Sequence, residues 1–90
     1  MSKYEIKFTR TFKKSHKKLN QAHKDLLISI INKLANDEIL EPKYNDYALK
    51  GAWIHHRECH IRPDLLLIYK KQDDILVLTC LRVGSHSELF

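Results

Sequence analysis

Leu65-Leu66-Leu67-Ile68-Tyr69 puts five apolar residues in unbroken succession, with Lys70-Lys71 closing the run. Arg62-Pro63-Asp64 precedes it and Gln72-Asp73-Asp74 follows it. Proline fixes φ and drives the residue before it away from helix, so the first flank is a turn. The second flank is polar and short. A bounded apolar run with no residue for water predicts a strand over 65–71, covered on both faces. Outward from it, residues 52–62 and 75–82 carry the composition of two more strands, and Gly84 breaks the later one.

The N-terminal half has a different period. Residues 3–8, ending Ile6-Lys7-Phe8, read as a short strand. Thr9 caps a helix over 9–19, in which Phe12 and Leu19 lie opposite Lys13, Lys14, Lys17 and Lys18. Asn20 caps a second over 21–36, where Leu27, Ile30, Ile31 and Leu34 recur at helical spacing. Helices joined this closely form an antiparallel hairpin. Residues 37–51, with Pro42, Glu38, Glu41 and Asp46, are mostly loop, and 85–90 are a polar tail with an apolar end. The order β-α-α-β-β-β predicts one α+β domain over 1–90. Its helical hairpin packs on one face of a mainly antiparallel twisted sheet, leaving the other face free.

Ninety residues support one domain with a modest core. Met1-Ser2-Lys3-Tyr4-Glu5-Ile6 lacks the apolar run of roughly 7–15 residues that a signal peptide needs. No stretch approaches the ~20 apolar residues of a membrane span. A cytoplasmic location without a membrane partner is therefore expected, with Cys59 and Cys80 reduced and too few for a disulfide scaffold. Sixteen basic residues against eleven acidic ones give a net charge of +5. That favours a polyanionic partner, RNA or DNA, or an acidic protein.

Four of the six histidines, His55, His56, His60 and His86, lie in the C-terminal half, with Glu58, Asp64 and Arg82 among them. Extended backbone over 52–62 would put Ile54, His56, Glu58, His60 and Arg62 on one face. Trp53, His55, Arg57, Cys59 and Ile61 would take the other. The first set is too polar for a core, so Glu58 and His60 are expected on the open side of the sheet. A metal site at His55, His56, Cys59 and His60 fits poorly. His56 and His60 would stand roughly 13 Å apart along a strand, and Cys59 faces away. No metal or other cofactor is expected, and Cys80 reads as core. Arg82 precedes the turn Val83-Gly84-Ser85-His86, which can bring His86 back beside it. A guanidinium can hold a phosphate and a histidine can protonate a leaving oxygen, while RNA supplies its own 2′-hydroxyl nucleophile. A solvated strand face, a surface arginine and a frayed histidine account for the same pattern. Tyr47 beside Lys50 can stack a base. Trp53 reads as core, and His16 and His23 as surface.

Four blocks carry a resemblance: Tyr47-Ala-Leu-Lys-Gly-Ala-Trp53, Arg57-Glu-Cys-His-Ile-Arg-Pro-Asp64, Leu65–Tyr69, and Leu81-Arg-Val-Gly-Ser-His-Ser-Glu-Leu-Phe90. In order and spacing they resemble the YafQ branch of the RelE-type bacterial toxins; the N-terminal half is similar only in pattern. The resemblance implies an endoribonuclease that cuts mRNA without metal, often on the translating ribosome. It also implies a cognate antitoxin, with operator DNA bound only through the toxin–antitoxin complex. Residue by residue, it implies His60 as acid/base histidine, Asp64 as the acidic residue after proline, Arg82 as phosphate clamp and His86 as general acid. Glu58 would assist them, and Phe90, Tyr47, Lys50 and Arg57 would contact RNA. Many relatives have histidine where Tyr47 stands and several have tryptophan where Leu65 stands, which bears on cleavage preference. Two readings compete with catalysis without metal: a non-catalytic module binding RNA or antitoxin, and a metal-dependent nuclease or zinc protein.

Overall fold

Leu65–Gln72 is the middle strand of a five-stranded sheet, with Leu65 through Tyr69 all buried, as a strand covered on both faces requires. In the computed structural model, which describes residues 2–90, the strands are β1 (Glu5–Phe8), β2 (Tyr47–Ala48), β3 (Arg57–Arg62), β4 (Leu65–Gln72) and β5 (Val77–Gly84). The helices are α1 (Arg10–Lys17), α2 (Gln21–Ala35) and α3 (His86–Leu89). Strand order is β1-β5-β4-β3-β2. β1 runs parallel to β5 and the other pairings are antiparallel.

Both expected N-caps form. The Thr9 hydroxyl accepts from Phe12 N, and the Asn20 side chain accepts from His23 N. Phe12 of α1 and Leu27, Ile30, Ile31 and Leu34 of α2 meet Cys59, Ile61, Leu65, Leu67, Tyr69, Leu78 and Cys80 in one core. Each such aliphatic side chain contributes about 1.5–3 kcal/mol on burial. Burial pushes the Cys80 thiol up to about 12 and also raises that of Cys59. Opposite this core, register aligns Tyr47, Glu58, Ile68 and Arg82 in one row across β2–β5, with His60, Leu66 and Gly84 in the next but one.

Several boundaries differ from the sequence expectation. Residues 52–56 are not strand. Gly51–Trp53 is a 3-10 turn, His56 N bonds back to Trp53 O, and His55 takes φ +72°, so His56 does not continue the Glu58–His60 face. Ile75 and Leu76 belong to the turn before β5, with Leu76 at φ +52°. The 37–51 stretch adds a 3-10 turn at Pro42–Tyr44 and the edge strand β2. The C-terminal tail is helical: Ser85 and Glu88 form a reciprocal capping box that starts α3.

Candidate active site

The row across the open face builds the site. Glu58 points away from the helices yet is only 1% exposed. Its Oε1 accepts from the Tyr47 hydroxyl at 2.5 Å and lies 3.3 Å from His60 Nε2. That hydrogen bond, burial and the Glu58 charge push the Tyr47 hydroxyl up to about 12, so Tyr47 holds its proton near neutrality. Among the described residues, Glu58 Oε2 is buried without a hydrogen-bond partner.

Two strands away in the same row stands Arg82, so Ile68 forms an apolar floor between carboxylate and guanidinium. Strand spacing sets their backbones about 10 Å apart. The Arg82 guanidinium lies over the Trp53 ring, 5.5 Å from its centroid. Phe90 meets Trp53 edge-on at 6.5 Å and His86 at 5.1 Å. The Ser85 cap thus places His86 at the first position of α3, and one turn later Phe90 closes on Trp53.

From the expected set the structure forms two groups, Tyr47 with Glu58 and His60, and Arg82 with Phe90 and His86 through Trp53; it leaves three others outside both. Arg57 alternates to the helix side of β3, where its Nε lies 3.2 Å from Asp46 Oδ1, which also accepts from the Tyr69 hydroxyl. That placement follows the alternation along 57–62 and takes Arg57 away from the face that carries Glu58 and His60. Asp64 is exposed at the tip of the β3–β4 turn, and among the described residues its side chain makes no hydrogen bond or ion pair. Glu58, rather than Asp64, holds His60. Lys50 is exposed at the start of the Gly51–Trp53 turn. Trp53, read as core, is instead a half-buried member of the site. Its signal was the left-handed Gly51 two residues earlier, which turns the chain and its indole out of strand alternation. Among the described residues, no three His, Cys, Asp or Glu side chains gather as metal ligands, and Cys59 and His60 face opposite sides of β3.

The sequence model of the family described as bacterial toxin of type II toxin-antitoxin system, YafQ, matches residues 4–90. The chain belongs to the YafQ toxin family. It is similar to the mRNA interferase toxin YafQ of Escherichia coli K12, at 33% identity over all of this chain and 99% of that protein. Among solved structures, the YafQ chain of an E. coli DinJ–YafQ toxin–antitoxin complex superposes with a TM-score of 0.84 at 32% identity, covering 98% of each chain. A metal-bound toxin from Helicobacter pylori matches at TM-score 0.83 and 37% identity, over 97% of this chain and 99% of that one. The α+β fold with its open sheet is therefore the YafQ fold.

Proposed function

We propose that this chain is an mRNA interferase, an endoribonuclease toxin held in check by a protein antitoxin, acting on mRNA at the ribosome. The observation that carries the reading is the row Glu58–Ile68–Arg82, with His60 beside the carboxylate and His86 near the Trp53–Phe90 pair next to the guanidinium. With Nε2 turned to the Glu58 carboxylate at 3.3 Å, His60 has Nδ1 left to act as a base for the 2′-hydroxyl proton. The 2′-oxygen attacks phosphorus, the bond to the 5′-oxygen breaks, and His86 protonates that oxygen. Arg82 bears the charge developing on the non-bridging oxygens. The products are a 2′,3′-cyclic phosphate and a 5′-hydroxyl. An acid, a base and a cation suffice for this chemistry. The exposed Lys13, Lys14, Lys17 and Lys18 on and just after α1 add salt-dependent attraction to ribosomal or messenger phosphates. Operator DNA is reached only through the antitoxin complex.

The test is expression of His86→Ala and Arg82→Ala beside wild type, following growth and mRNA cleavage. Loss of an acid or of the charge clamp predicts at least a ~100-fold slower cut. Undiminished toxicity of both variants would refute the assignment. Cleavage that stops in chelator and returns with a divalent ion would replace this scheme with metal-assisted hydrolysis.

A further inference from the structure

β2 is only two residues long and pairs with Arg57 and Glu58 alone, so from Cys59 onward the outer edge of β3 has no strand partner. The Pro42–Tyr44 turn packs beside that edge in place of a strand, and left-handed Asn45 (φ +43°) swings the chain back toward β2. Between them opens a cleft of about 510 Å³, lined chiefly by Leu26, Lys43, Tyr44, Asn45, His60 and Arg62. Among the described residues, the charged side chains lining it are Lys43 and Arg62, with His60 beside them and no carboxylate. Glu41 approaches Lys43 at 3.9 Å, but that pair is exposed and a phosphate can displace it. The cleft is large enough for a nucleotide and shares His60 with the active site. A cavity of about 640 Å³ near the end of α2 is the electrostatic opposite, lined by Asp37, Glu38, Glu41, Asp46 and Asp73 against Arg57 and Lys71.

We propose that the cleft beside His60 is the subsite for RNA on the 5′ side of the scissile phosphate, with Lys43 and Arg62 on its backbone and a base against the Leu26–Tyr44 wall. The polarity rests on the functional reading above. His60 takes the proton of a 2′-hydroxyl that belongs to the nucleotide 5′ of the cut. His86 serves the 5′-oxygen of the nucleotide that follows. RNA entering at the His60 end is therefore the upstream strand. Trp53 and Phe90, next to His86, receive the downstream nucleotide.

The experiment uses RNA oligonucleotides spanning a cleavage site mapped on cellular mRNA and blocked there by 2′-O-methylation. One series is lengthened by three nucleotides on the 5′ side, the other on the 3′ side. Binding to the isotope-labelled protein is followed through backbone amide shifts. Lengthening on the 5′ side is expected to move the amides of 43–45 and 60–62 and tighten binding about ten-fold. The exposed double substitution Lys43→Glu/Arg62→Glu should abolish that gain and leave the 3′ gain intact. The subsite is overturned if the 5′ series moves only the amides of 82–90, or if the double variant keeps the gain. If neither series moves Arg82 or His86, the functional reading falls, and the subsite with it.

Discussion

Tyr47 donates its only proton to Glu58, and that contact fixes what this phenol can do. With its hydroxyl pushed up to about 12 it serves as a donor, not as a base. It holds Glu58, and Glu58 in turn meets His60. Tyr47→Phe would leave Glu58 Oε1 with His60 alone, beside an Oε2 that already lacks a partner. About 1–2 kcal/mol of stability should be lost, read from urea unfolding. The folded value lies above the ordinary value of 10, so Tyr47's contribution is complete below pH 10 and disappears as pH rises through about 12. Unfolding measured across that alkaline window should be flatter for Tyr47→Phe than for wild type. Cleavage should slow mainly in kcat, because the variant disturbs the orientation of His60 while the Arg82 clamp is untouched.

α3 is four residues long, below the length at which a helix sustains itself, so its geometry depends on its cap. Ser85 N donates to Glu88 Oε1 at 2.7 Å, and Glu88 N donates back to Ser85 Oγ at 3.3 Å. Ser85→Ala removes one half of this exchange, worth about 1 kcal/mol to the local helix. The global melting temperature should change little while RNA cleavage falls, because His86 and Phe90 lose their placement. An equal loss in both measurements would mean α3 supports the whole fold. The longer elements were legible from sequence: β4 from its apolar run, α1 and α2 from the caps Thr9 and Asn20 and the stripe through Leu34. α3 was not, since four residues show no period. The 52–56 turn was hidden because His55 takes φ +72°, which a histidine inside a run that otherwise reads as strand does not announce; Gly51 was the weaker sign. Glu58 was assigned a helping part and Asp64 a principal one. Alternation and the Pro63 turn already separate the two; what the structure adds is the 3.3 Å contact that makes Glu58 the partner of His60.

Across the whole molecule the sheet divides two tasks. The helix side holds the apolar core, and the far side carries Glu58, His60 and Arg82 over the buried Leu66 and Ile68. The composition foretold this division, since a helix pair can cover only one face of the sheet. Alternation along β3 also says which of two adjacent charged residues faces which way: Glu58 goes to the open side and Arg57 to the helix side.

The two cysteines turn this architecture into a built-in stopwatch. Cys59 and Cys80 are fully shielded, on neighbours of the central strand, and their thiols resist ionisation. An alkylating reagent can reach them only when the sheet parts from its helices. With iodoacetamide in excess, both thiols should therefore be modified together, at the rate the chain opens. Bound antitoxin or RNA should slow that labelling in proportion to how tightly it holds the folded state. Mass spectrometry of the intact chain would show unmodified and doubly modified species with little between them, and a persistent singly labelled population would reveal a sheet that opens strand by strand.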